Sequence, residues 1–209
     1  MLRKIIPLCS RTLRGMINSP TMRTLSLALA LACSAAAQSW TPLFDGKTLN
    51  GWEARATFAP PSTGDWKVSD GSLVCGGASP GWIATKDTFR DFRLQLEFRG
   101  AATVNSGVFL RSQKEGEPHV TGYELQIWDM QPAGYLTGSL VGTVKAQPTK
   151  IKPDTWNSFD ITAKGDHIVV LLNGQKVLDV HDSKHAAGVI GLQCQAKQNI
   201  AFRNIRLQR

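Results

Sequence analysis

Residues 92–99, Phe-Arg-Leu-Gln-Leu-Glu-Phe-Arg, alternate apolar and polar without a break. A strand turns successive side chains to opposite faces, whereas a helix would scatter these four apolar residues around its circumference. Phe92, Leu94, Leu96 and Phe98 therefore face a core, and Arg93, Gln95, Glu97 and Arg99 face away from it. The same texture recurs along the chain. Trp66 and Val68, the turn Asp70-Gly71 and residues 73–75 read as a hairpin; residues 167–172, Asn173-Gly174 and 175–180 read as another. Further strands are expected at 81–85, 108–111, 122–129, 154–162, 188–194 and 200–208. No segment keeps a helical period beyond a single turn near 182–187. About ten short strands separated by turn residues predict an all-β sandwich or barrel.

The first 37 residues carry Arg3, Lys4, Arg11, Arg14 and Arg23, no acid, an apolar run at 25–32 and Ala35-Ala36-Ala37. That order predicts a secretory signal peptide cleaved after Ala37, leaving one domain over 38–209 in a periplasmic or extracellular setting. Cys33 offers a lipid-anchor site, set against Ala30 where a lipoprotein signal carries leucine; the rest of the chain shows no membrane segment. The formal charge of +8 is largely the leader's. Without it, 24 Lys and Arg fall to 19 against 16 Asp and Glu, scattered along the chain, which speaks against a nucleic-acid partner. Cys75 and Cys194 remain; they either pair or lie as two buried thiols, and their spacing does not decide which.

Motif-bearing chemistries are absent: there is no GxSxG, HExxH, CxxC pair or phosphate-cradling glycine loop. The histidines at 119, 167, 181 and 185 lack metal-ligand spacing, so a divalent metal is a cofactor without a motif, left to residues the fold brings together. The carboxylates say more. In 122–129, Tyr123, Leu125 and Ile127 take one face, and Glu124, Gln126 and Trp128 the other. A carboxylate, an amide and a large ring side by side suit a sugar. Retaining glycosidases need two carboxyl groups about 5–5.5 Å apart, and here the span reads Glu-x-Gln-x-x-Asp, with an amide in the middle. Arg111 shares parity with Phe109, which would put it on the Glu124 side, and Lys145 is a second candidate cation. Residues 130–142, rich in Gly, Pro and Thr, are long for a hairpin loop and read as functional or mobile.

LFDGKTLNGW (43–52), WKVSDGSLV (66–74), FRLQLEFR (92–99), NSGVFLR (105–111), GYELQIWD (122–129), TGSLVG (137–142), WNSFDIT (156–162), LNGQKV (172–177) and GLQ with FRNIRL (191–193, 202–207) together resemble the 3-keto-disaccharide hydrolase family. Its members are also described as 3-keto-glucoside 1,2-lyase/3-keto-2-hydroxyglucal hydratase domains. The resemblance implies an exported protein with a concanavalin-like jelly-roll sandwich that cleaves 3-keto-glycosides. A ketone at C3 acidifies the C2 proton, so a base can expel the C1 substituent, and water then adds to the enone. On this reading Glu124 is the base or acid, and Arg111 and Lys145 are clamps for the enolate or hydroxyls. Gln126 binds sugar hydroxyls, Trp128 stacks on the ring, and Asp129, Glu97 and Gln193 are further substrate contacts. The chain departs from the family pattern at Val141, where an aromatic residue is usual, and at Cys194-Gln195, where a histidine is usual. A non-catalytic carbohydrate-binding module on the same fold is the rival expectation. It predicts a shallow face of rings without convergent charges. Oligomeric state has no sequence signal here.

Overall fold

The computed structural model describes residues 39–56 and 62–209; the proposed leader, Cys33 and Pro60-Pro61 lie outside the described residues. In chain order the strands are β1 (Thr41–Pro42), β2 (Trp52–Arg55), β3 (Asp65–Ser69), β4 (Ser72–Gly76), β5 (Gly81–Thr85), β6 (Phe92–Gly100) and β7 (Ser106–Ser112). The short helix α1 (Pro118–Thr121) precedes β8 (Tyr123–Ile127). Then come β9 (Asn157–Lys164), β10 (His167–Leu172), β11 (Gln175–His181), β12 (Val189–Cys194) and β13 (Ile200–Gln208). The expected turn near 182–187 is not helical. The helical turn lies instead at α1, where Pro118 sits at its first position and its fixed φ suits a helix start. The strand expected from Asp154 begins at Asn157, because Asp154 takes φ 56°, a left-handed turn conformation.

The strands form two antiparallel sheets, the jelly-roll sandwich expected of the chain. One has eight strands in the order β11-β10-β9-β6-β13-β4-β3, with β1 added to β13; the other has five, β2-β5-β12-β7-β8. Between them lies the core. Phe92, Leu94, Leu96 and Phe98 of β6 are all buried, and Phe98 meets Phe159 of β9 with ring centroids 4.9 Å apart. From the five-stranded sheet, Ile83, Leu192, Val108 and Leu125 sit opposite one another on four adjacent strands and close the core from the other side. Truncating Phe98 to alanine removes about 3–5 kcal/mol by the usual transfer and cavity terms.

Two devices fix the small sheet. Cys75 of β4 and Cys194 of β12 form a disulfide that ties one sheet to the other, which settles the pairing left open by the sequence. Closing 119 residues removes unfolded-chain entropy worth roughly 4–5 kcal/mol. The second device is the 130–142 segment. The amide of Gln126 donates to Ser139 O, that of Gly138 to Gln126 O and that of Val141 to Glu124 O, each at 2.9 Å. This segment satisfies the outer edge of β8 and blunts it against further pairing. Gly138 takes φ 92°, and a Cβ there would meet Val177 at 2.9 Å, so the cover depends on glycine at this point.

Candidate functional site

The outer face of the five-stranded sheet is built from the side chains of opposite parity to the core row. One row runs Glu53, Ala84, Gly191, Phe109, Glu124 across all five strands. Beside it Arg55 lies opposite Trp82 and Trp82 opposite Gln193, while Gly107 lies opposite Gln126. The two glycines are what give this face its shape. A Cβ at Gly191 would strike the Trp82 ring at 2.7 Å and Phe109 at 3.2 Å. One at Gly107 would come within 3.3 Å of the Glu124 Cγ and Oε1. Gly191 thus lets Trp82 lie against Phe109, edge to face with centroids 5.6 Å apart, and Gly107 lets Glu124 reach across β7.

Glu124 is 7% exposed. Across Gly107 its Oε1 accepts a hydrogen bond from Gln193 Nε2 at 3.1 Å. Burial pushes its carboxyl up to about 7; the Gln193 bond opposes this rise, and the charge of Glu117 adds to it. A carboxyl poised there can give or take a proton near neutrality. On the same sheet face, polar atoms lack partners. Gln193 Oε1, Trp82 Nε1 and Arg55 Nε are buried without a hydrogen-bond partner. The remaining Arg55 nitrogens are engaged, Nη2 with Glu53 at 2.6 Å and Nη1 with the Lys114 carbonyl at 2.8 Å. The face therefore holds an acceptor beside a titratable carboxyl and two donors farther along the neighbouring row, on β5 and β2.

Of the residues expected at the site, the structure brings together Glu124, Gln126 and Gln193. Gln126 is buried in the row beside Glu124, its Oε1 accepting from the Ile127 amide at 3.1 Å. Trp128 follows the end of β8 and is half-buried. Asp129 serves the scaffold instead, since its Oδ2 accepts from the Ile151 amide at 2.9 Å and anchors that loop. Its Oδ1 is buried and unpaired. Lys145 is exposed on the segment covering β8, its Nζ 5.4 Å from the centre of the Tyr135 ring.

Two expectations need correction. Arg111 does not share the Glu124 face. The β7–β12 register shifts between Val189 and Ile190, so Ser112 pairs Val189, Leu110 pairs Ile190, and Arg111 is the unopposed residue of a β-bulge at φ 57°. The bulge breaks the parity that linked it to Phe109. Its guanidinium, 1% exposed, donates instead to the carbonyls of Arg90 and Gly165 at 2.7 Å and His185 at 3.2 Å, and meets Asp91 at 3.4 Å. Glu97 lies on β6 in the other sheet, where it takes Arg203 Nε at 2.6 Å and Asn204 Nδ2 at 3.0 Å. The cation that does border Glu124's face is Arg55, and the ring is Trp82. Trp82 carried a readable signal, since it alternates with core Ile83 on a strand recognised as such. Arg55 carried none, because its strand adjoins a loop-like, proline-containing stretch. Among the described residues no three His, Cys, Asp or Glu side chains come together as a metal-holding group.

A curated 3-keto-disaccharide hydrolase from Bacteroides thetaiotaomicron is 28% identical over a match covering 69% of this chain; the chain spans 59% of that relative's length. The crystal structure of a protein from Parabacteroides distasonis assigned as a glycosyl hydrolase superposes with TM-score 0.69 at 22% identity, covering 82% of this chain and 94% of that one. The carbohydrate-binding module CBM66 from Bacillus subtilis shares the fold at TM-score 0.60 and 17% identity, over 76% of this chain and 96% of the module. Residues 39–208 match the model of the 3-keto-alpha-glucoside-1,2-lyase-like domain, and the chain belongs to that family.

Proposed function

We propose that this protein cleaves 3-keto-glycosides by elimination across C1 and C2 followed by hydration, the net result being hydrolysis. The observation that carries this reading is Glu124, a buried carboxyl held near neutral pKa by burial and fixed in place by Gln193. In the ionised form it takes the C2 proton made acidic by the neighbouring ketone, and in the neutral form it returns a proton to C2 when water adds at C1. Gln193 Oε1, beside Glu124, supplies an acceptor for a sugar oxygen, and Trp82 Nε1 and Arg55 Nε, farther along the same row on β5 and β2, supply donors for more distant substrate oxygens. Gln126 lies in the same row for a hydroxyl contact, with Trp128 at the strand end for the ring. Arg111 and Lys145, engaged elsewhere, take no part in this scheme. Trp82 and Phe109, rings of this sheet face, are buried rather than laid out as a shallow platform, which favours an enzyme over a binding module.

The disulfide between Cys75 and Cys194 supports export to an oxidising compartment, in keeping with the N-terminal leader. The test of the activity is release of nitrophenol from a nitrophenyl 3-keto-glucoside by wild type and Glu124→Gln. The reading expects turnover by the first and near-complete loss in the second. No turnover by wild type overturns it.

A further inference from the structure

The amide that bonds Glu124 belongs to a residue at the end of its ladder. Gln193 precedes Cys194, the last residue of β12. On one side Gln193 lies opposite Trp82 of β5, but on the other the β12–β7 ladder ends at the Leu192–Val108 pair. A glutamine side chain is rich in rotamers, and the end of a ladder opens at lower cost than its middle. A donor that stays 3.1 Å from a buried carboxyl therefore needs its backbone held by something besides the ladder.

Two groups on the core side of the sheet hold it. Ser106, buried at the start of β7, donates its Oγ to the Gln193 carbonyl at 2.7 Å, just past the last ladder pair. Cys194, the next residue, is bonded to Cys75 of β4 in the opposite sheet. Both side chains lie on the inner face, Ser106 in the alternation of Val108 and Leu110, Cys194 in that of Ile190 and Leu192. The same alternation sends the Gln193 side chain outward to meet Glu124 above Gly107. The space around Cys194 is closed as well, since a Cβ at Gly64 would meet its Cβ at 3.1 Å and its Sγ at 3.3 Å.

We propose that Ser106 and the Cys75–Cys194 disulfide form a mount that holds Gln193 against Glu124, and that all three are positioning residues for the proton transfer at C2. They touch neither the substrate nor the reacting atoms; they act through the Gln193 amide. That amide has two duties. Its Nε2 donates to the Glu124 carboxylate and favours the ionised form, which is the base; its Oε1, left unpaired, accepts from the substrate. A Gln193 backbone free to drift loosens both contacts. The inference rests on the elimination reading above. It adds that the reaction depends on the oxidised state of a cysteine pair lying in the core and outside the cleft.

Two readouts of Glu124 test this: the acidic limb of the kcat/KM profile on the nitrophenyl 3-keto-glucoside, and the titration of the Glu124 side-chain carboxyl followed by carbon-13 NMR. Ser106→Ala deletes one hydroxyl. It is expected to move both midpoints toward alkaline pH by about half a unit, the effect of weakening rather than losing a hydrogen bond to a charged group. The double variant Cys75→Ala/Cys194→Ala is expected to move them the same way, measured at a temperature where near-ultraviolet circular dichroism shows the folded state. A role confined to stability would lower the melting temperature and leave both midpoints in place. In a Gln193→Leu background neither change should move the midpoints further, since the amide they position is gone. Midpoints unmoved by Ser106→Ala or by loss of the disulfide, or moved equally in the Gln193→Leu background, overturn the assignment and leave the elimination reading standing. Wild type inert on the 3-keto substrate overturns the elimination reading, while the carboxyl titration still decides whether the mount acts on Glu124.

Discussion

The two outer faces of the sandwich use similar residues to opposite ends. On the large sheet the charges of the central strands answer one another. Arg93 grips Asp160 with two nitrogens at 2.8 and 2.6 Å, Gln95 donates to the same carboxylate at 2.6 Å, and Arg206 donates twice to Gln95 Oε1 at 2.9 and 2.7 Å. Trp40 carries Arg93 and Arg206 over its ring, and Trp156 carries Arg99 and Arg203. A groove of about 700 Å³ runs over this face, yet its charged and amide groups are already engaged, Gln95, Asp160 and Arg206 with one another and Glu97 with Arg203 and Asn204. On the small sheet Glu124 is buried with no ion pair among the described residues, and three polar atoms in the adjoining row have no hydrogen-bond partner. A buried polar atom left unpaired costs about 1–3 kcal/mol, so a natural sequence keeps a group of them where something else completes them. Polarity alone does not mark a site; unanswered polarity does.

The largest test of this contrast exchanges one carboxyl on each face. Glu124→Gln keeps the shape and the Gln193 contact but cannot accept a proton. Loss of kcat/KM on a nitrophenyl 3-keto-glucoside by about 10³-fold is expected, within the usual range for an acid or base group. Glu97→Gln, on the other face, is expected to leave the rate within about twofold, as a surface change remote from the chemistry. Equal losses in the two variants would break the comparison.

A second test reads the same carboxyl through stability. Glu124 is held at about 7 by burial, against an ordinary 4.5 in the unfolded chain. Below pH 4.5 both states are neutral there, and the folded state bears no penalty. Between that value and 7 the unfolded chain ionises first, so stability falls as pH rises, by roughly 3 kcal/mol in total. Above 7 the loss is complete. Glu124→Gln removes this slope, so its melting temperature should exceed that of wild type at about pH 8 and approach it at about pH 4. The Gln193 contact limits the penalty, and Glu117 enlarges it; Gln193→Leu should therefore displace the transition upward, seen as an alkaline shift of the activity profile.

Much of the fold was legible because its signals are local. The alternation of 92–99 and the turns at Asp70-Gly71 and Asn173-Gly174 each fix a strand or hairpin without reference to the rest of the chain. Failures came where a long-range fact decides. Glu97 and Glu124 both sit on strands with sound alternation, but nothing local says that those strands belong to opposite sheets. Arg111 was misplaced by one extra residue opposite β12, because parity counts only while the ladder is regular. Residues 130–142 looked like a free loop because an edge-covering segment needs no alternation of its own; its backbone groups do the pairing. Within the site, Glu124 and Gln193 were visible as polar residues at outward positions. The part played by Gly107 and Gly191, whose missing side chains let Glu124 and Trp82 lie flat, is visible only in three dimensions.

The smallest effect belongs to the large sheet's own network. Arg93 and Asp160 make a two-pronged pair, but the Arg93 side chain is 47% exposed and water screens the interaction. A double-mutant cycle with Arg93→Met and Asp160→Asn should return a coupling of about 0.2–1 kcal/mol, read from denaturant midpoints. Methionine retains much of the contact over Trp40, so the cycle isolates the charge rather than the packing. Turnover of the 3-keto substrate should not change in either single variant. A coupling well above that range would mean the pair is held more tightly than an exposed bridge can be. A fall in turnover would mean that the closed face also takes part in binding, and the division between a self-satisfied face and an open one would have to be redrawn.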